Sequence, residues 1–219
     1  MNNKLTYLAF VLDRSGSMHN LIEESINGYN SLIKKQKDLC KEGEEALVTT
    51  VIFDNEIENI YDNVDIKKIE PLTEDIYYAR GCTALLDALG TTIISVGKTL
   101  SNMKEEDRPA KVIVTITTDG LENASREFTK SKIKEMITHQ QEKYNWTFVF
   151  LGANMDAIGE AESLGINKDF ARNYTANKEC TSNLYSCLSE SMCKMRTNKK
   201  MSCKDEKFQD VMDDLDNIK

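Results

Sequence analysis

The sequence predicts an α/β fold of three layers: a mostly parallel, Rossmann-like sheet with one antiparallel edge strand and helices on both faces. Three observations predict it. Short apolar runs alternate with amphipathic stretches along most of the chain. The runs at 7–12 and 112–116 are apolar without alternation, as in strands buried on both faces. The runs end in Asp, Gly or Asn, and most are followed by a helical pattern. Strands that alternate with helices in this way assemble into a parallel sheet covered on both sides.

The elements follow in order. Residues 5–12 read as the first strand. From His19 to about Leu39, Ile22, Ile26, Tyr29, Leu32 and Ile33 recur at helical spacing, with acids early and lysines late, as the helix dipole favours. Residues 46–53 are a second strand. A two-residue Asp54-Asn55 turn leads to an antiparallel edge strand over 56–62, and 63–80 read as a connecting loop. Residues 83–103 form the second long helix, marked by Leu86, Leu89, Ile93 and Leu100. A third buried strand over 110–117 ends at Thr118-Asp119-Gly120. A helix over 129–143, a strand over 146–151, a short helix over 156–164 and a last strand over 170–174 complete the pattern. Leu184, Leu188, Met192 and Met195 mark one more helix. The domain is expected to span 1–195, and 196–219 to hold a basic spacer and a C-terminal amphipathic helix carrying Phe208, Val211, Met212, Leu215 and Ile218.

Composition narrows the function classes. A formal net charge of −8 over 219 residues disfavours nucleic acid and anionic membrane surfaces, since both require a cationic footprint. No apolar run approaches the roughly 18–20 residues of a membrane span, and the start of the chain does not read as a signal peptide. These features predict a cytoplasmic protein, with its six cysteines reduced. Cys180, Cys187, Cys193 and Cys203 lack the close Cys-x-x-Cys pairs of zinc sites.

Parallel sheets bind ligands outside the carboxyl ends of their strands. Asp13, Ser15 and Ser17 follow the first strand, Thr83 opens the second long helix, and Asp119 follows the third buried strand, so all five fall on one rim. Any one of them alone reads as a helix cap. Together they offer three hydroxyls and two carboxylates to a hard cation.

This arrangement resembles the von Willebrand factor A domain and its metal-ion-dependent adhesion site (MIDAS). The matching pieces are Asp13-Arg-Ser15-Gly-Ser17, the stretch from Gly81 through Thr83 to Leu89, and the run from Val114 to Asp119-Gly120. The resemblance covers roughly 5–175. It implies that Ser15 and Ser17 ligate a divalent cation directly, with Thr83 direct or water-mediated. Asp13 and Asp119 would hold metal-bound waters. Magnesium is the expected ion, with manganese or calcium as substitutes. The resemblance further implies a protein-binding adhesion or adaptor module, with no catalytic residues, that takes an Asp or Glu of a partner protein as the outside ligand.

Several neighbours read as structural. Asp54 and Asn55 read as hairpin residues, Asn154 as an Asx-turn, Tyr77, Tyr78 and Arg80 as a solvated loop, and Cys82 as buried packing. A nucleophile pair of Ser17 and His19 lacks an orienting third group. Two other function classes stand beside the binding module. A magnesium-dependent phosphoryl hydrolase of haloacid dehalogenase type would need a second carboxylate where Ser15 stands. A structural protein could self-associate through the C-terminal helix.

Overall fold

The computed structural model describes residues 1–175 and 177–197. The expected C-terminal pattern over 205–218 lies outside the described residues. Six strands form one sheet: β1 (Asn2–Asp13), β2 (Glu45–Phe53), β3 (Ile57–Asp65), β4 (Pro109–Thr118), β5 (Thr147–Ala153) and β6 (Ala171–Tyr174). The helices are α1 (Ile22–Lys41), α2 (Leu85–Asn102), α3 (Lys130–Tyr144), α4 (Ala157–Ser163) and α5 (Lys178–Thr197).

The strand order is β3-β2-β1-β4-β5-β6. All neighbours are parallel except the β2–β3 pair. The chain therefore winds one way from β1 to β2 and the other way from β4 onward, so the order reverses between β1 and β4, where ligands bind in open α/β sheets. Tyr7 to Leu12 is buried throughout, because β1 lies at the centre with helices on both of its faces. Helices α1 and α5 pack together on one face; α2 and α3 pack together on the other. Two buried tyrosines in the layers are paired: Tyr7 Oη meets Thr49 Oγ1 at 2.7 Å, and Tyr29 Oη meets Thr50 Oγ1 at 2.7 Å. Unpaired, each hydroxyl would cost about 1–3 kcal/mol.

Some boundaries differ from those the sequence predicts. The first helical pattern opens as a 3-10 turn over Gly16–Leu21 before α1 starts. The β2–β3 connection is a three-residue turn, since Phe53 pairs with Ile57. β3 runs on to Asp65 through an irregularity at Asn63, whose backbone takes a φ of 54° and whose N–H reaches Thr49 Oγ1 at 3.1 Å. Helix α5 continues through Thr197. Arg196, the first residue of the expected basic spacer, is buried and donates to Gln36 O, Gln36 Oε1 and Glu45 O. Its guanidinium finds carbonyls at the end of α1 and the start of β2, which a local reading of charge cannot anticipate.

Candidate metal centre

Strand β1 ends at Asp13, which is fully buried. Its Oδ1 accepts the Ser15 N–H at 2.7 Å and its Oδ2 accepts the Thr118 hydroxyl at 2.5 Å. Its backbone carbonyl accepts the Tyr77 hydroxyl. Burial pushes the Asp13 carboxyl up to about 6, against the hydrogen bonds from Thr118 and Ser15, which favour the anion. Burial also raises Asp119, opposed by the Ser17 hydroxyl.

The Asp-x-Ser-x-Ser loop then turns back on itself. Ser15 Oγ and Ser17 Oγ lie 3.1 Å apart, and Ser17 donates to Asp119 Oδ1 at 2.6 Å. Thr83 is buried just ahead of α2. Its backbone is clamped by Asn123: Thr83 N donates to Asn123 Oδ1 at 2.9 Å, and Thr83 O accepts Asn123 N at 3.0 Å. Gly120 brings the third loop against both others. A Cβ at position 120 would stand 3.2 Å from Thr83 Oγ1 and 3.5 Å from Ser17 Oγ, so glycine permits the close approach.

The structure thus gathers all five predicted residues at the β1–β4 switch point. Asp13, Ser15 and Thr83 are buried, Asp119 is half-buried, and Ser17 is exposed, so the cluster opens to solvent on the Ser17 side. The hydroxyls are not spent on capping. Ser15 heads the 3-10 turn without a capping bond, and the N-cap position of α2 is Ala84. The first N–H groups of α2 are met from a distant loop instead: Leu86 N donates to Glu122 Oε2 and Asp87 N to Ser125 Oγ, both at 3.0 Å.

The donor set suits a hard, partly hydrated cation. Octahedral magnesium at about 2.0–2.1 Å from each oxygen sets neighbouring ligand oxygens about 3 Å apart, close to the Ser15–Ser17 separation of 3.1 Å. Among the described residues no group of three His, Cys, Asp or Glu is placed to hold a metal, so hydroxyls must supply much of any such site here.

Three expectations about the surroundings are corrected, and that for Asp54 is extended. Asp54 is a buried hub as well as a turn residue: its Oδ2 accepts Arg14 Nε at 2.9 Å and Arg80 Nε at 2.7 Å, and its Oδ1 accepts Glu56 N at 2.7 Å. Arg80 also pairs with Glu56 at 2.6 Å, so it is engaged within the domain. Tyr77 is buried under the β1 end rather than solvated, while Tyr78 is exposed between the two guanidinium groups, 5.6 and 5.7 Å from its ring centre. Cys82 is exposed, because Gly81 turns the chain outward at a φ of 68°. Asn154 ends β5 in the left-handed region at a φ of 53°, with its N–H on Tyr174 O at 3.0 Å.

Sequence reasoning missed the supports of the site: Arg14, Thr118, Glu122, Asn123 and Asp87. Asp87 accepts the N–H groups of Arg126, Glu127 and Phe128 at 2.7, 2.9 and 2.9 Å. One signal was available. Glu122-Asn123-Ala-Ser125 is a dense run of hydrogen-bonding side chains directly after Asp119-Gly120.

No family model matches the chain, and no curated protein matches it in sequence. Its fold, in contrast, has many matches among solved structures. The von Willebrand factor domain of the type V pili tip protein Mfa5 from Porphyromonas gingivalis aligns with a TM-score of 0.62 at 12% identity, over 90% of this chain and 98% of that one. A von Willebrand factor type A structure from Catenulispora acidiphila aligns at 0.57 and 12%, over 85% and 42%. Proximal thread matrix protein 1 from the mussel byssus, in a structure with a zinc-occupied MIDAS motif, aligns at 0.56 and 16%, over 86% and 46%. The chain spans less than half the length of the mussel and Catenulispora proteins. With the strand order and the two helix layers, these matches identify the fold of this chain as that of the von Willebrand factor A domain.

Proposed function

We propose that this chain is a metal-dependent protein-binding module. Ser15, Ser17 and Thr83 would hold a divalent cation, magnesium in the first instance, and Asp13 and Asp119 would accept hydrogen bonds from its waters. The observation that carries the reading is the continuous chain of oxygens from Ser15 through Ser17 to Asp119, open to solvent at Ser17. With mainly neutral hydroxyls as ligands, a bound cation keeps its attraction for one outside anion, and an Asp or Glu of a partner protein supplies it. No bond is broken in this role. The mussel protein with zinc in its MIDAS supports the cation, and the pilus and matrix proteins of the same fold support the partner class. We place the module in the cytoplasm, where its thiols stay reduced.

The test is a pull-down from cell extract with wild type and Asp119→Ala, each with magnesium and with chelator, alongside calorimetric titration of each protein with magnesium. The reading expects partners captured by wild type in magnesium only, and loss of heat with Asp119→Ala. Capture that is equal in chelator, or absence of any divalent-cation binding, would sink it. The haloacid dehalogenase alternative fares worse, because Ser15 stands where that chemistry needs an acid; turnover of a generic phosphate ester would revive it.

A further inference from the structure

At the end of the sheet away from the metal centre, where β4 and β5 begin and α2 and α3 finish, lies a cavity of about 320 Å³. Leu100, Val112, Tyr144 and Trp146 give it apolar walls, and Arg108 adds a charged group. Gly97 makes one stretch of wall bare. It sits inside α2, where glycine costs stability relative to alanine because it gives up the most backbone freedom. The other helical glycines have a packing reason. A Cβ would stand 2.2 Å from the Tyr185 ring at Gly28, 2.6 Å from the Phe128 ring at Gly90, and 2.3 Å from Asp156 Oδ2 at Gly159. At Gly97 a Cβ would meet nothing within 4 Å. The space that this glycine keeps belongs to the cavity.

Arg108 sets the charge of the occupant. Its Nε donates to Met103 O and its Nη2 to Ser101 O, both at 3.1 Å. Ser101 lines the cavity too. The two carbonyls hold the guanidinium in place without neutralising it, and Arg108 joins no ion pair among the described residues. A fixed, uncompensated cation on a mainly apolar cavity is complementary to an apolar molecule with one negative end.

We propose that this cavity binds a small free carboxylate with an aromatic body. The ring lies against Trp146, Leu100 and the bare wall at Gly97, and the carboxylate takes the Arg108 guanidinium. The volume stands at the lower end of the roughly 300–1,000 Å³ of ligand cavities, which suits a molecule of one or two rings. A phosphate dianion fits less well. One guanidinium balances one charge, and desolvating a second in mainly apolar surroundings is costly. The cavity shares no residue with the metal centre, so the proposal stands whether or not a cation binds there.

Trp146 is the only tryptophan of the chain and lines this cavity, so its fluorescence follows occupancy. The experiment titrates the full chain with 4-phenylbutyrate, 4-phenylbutanol and 4-phenylbutylamine, read by Trp146 fluorescence and calorimetry. Chelator is present throughout, which keeps the metal centre from taking the carboxylate. Phenylbutyrate should bind with a Kd of about 0.1–1 mM, ordinary for a probe of its size. The alcohol should bind about tenfold more weakly, and the amine more weakly still. Gly97→Leu fills the bare wall with a good helix former, so its urea midpoint should not fall below that of wild type. It should weaken phenylbutyrate at least about tenfold. Arg108→Gln should bring the acid down to the level of the alcohol; if that variant does not fold, Gly97→Leu decides alone. Equal binding of the three probes, equal binding by wild type and Gly97→Leu, or no phenylbutyrate binding up to about 10 mM would overturn the proposal.

Discussion

Removing the Asp87 carboxylate should loosen the loop that carries Asp119. The side chain sits in the first turn of α2 and accepts three consecutive N–H groups, from Arg126, Glu127 and Phe128, at 2.7–2.9 Å. Hydrogen bonds to a charged acceptor contribute roughly 1.5–3 kcal/mol each. The loop is partly exposed, so water recovers some of that in Asp87→Ala, and the net loss should be about 3–5 kcal/mol. That is a large share of the roughly 5–15 kcal/mol of a typical domain. Asp87→Asn keeps one oxygen and should cost about 1–2 kcal/mol. The assay is urea unfolding in chelator and again in excess magnesium. Bound cation adds stability as RT ln(1 + [L]/Kd). Because the loop joins Asp119 to Thr83 through Asn123, the magnesium increment should shrink in Asp87→Ala as well. A loss below about 1 kcal/mol, or a full loss with an unchanged magnesium increment, would refute the argument that this clamp holds the site.

Three further outcomes are expected. Burial holds Asp13 near 6 against an ordinary value of 3.8, so between those values the folded chain binds more protons than the unfolded one. In chelator this contribution to stability is complete below 3.8 and disappears as pH rises through about 6, whereas magnesium binding, which needs the anion, weakens as pH falls through about 6; titrations from pH 5 to 8 read both signs. Arg14→Met removes ion pairs to Asp54 at 2.9 Å and Glu58 at 3.0 Å. Asp54 keeps Arg80, so the loss in thermal or urea unfolding should be about 2–3 kcal/mol, below the 3–5 kcal/mol of a wholly orphaned charge. Finally, iodoacetamide should label exposed Cys82 early and buried Cys40 last, as read by peptide mass mapping of the native protein.

Much of the fold is legible because burial imposes a period on sequence. β1 sits between two helix layers, so Tyr7 to Leu12 has no polar face to show. The amphipathic stripes of α1 and α2 follow from the same sheet seen from either side. Element ends were less legible. β3 runs three residues past its expected end because an edge strand can absorb an irregularity at Asn63, and α5 keeps Arg196 because carbonyls from α1 and β2 accept its guanidinium. Neither partner is local.

The same division governs the site. The sequence alone determines that Asp13, Ser15, Ser17, Thr83 and Asp119 stand at element ends on one rim, since strand and helix direction fix the rim once the α/β alternation is read. Only the tertiary structure decides the distances among them: Ser15 beside Ser17, Ser17 on Asp119, and Gly120 against Thr83. It also decides which polar residues become supports. Asp54 meets Arg14 and Arg80, and Asp87 meets the 126–128 backbone, across separations of 26 to 41 residues. Hydrophobic periodicity is a property of each segment by itself. The partner of a charge or hydroxyl is set by chain closure, and closure exists only in the folded chain.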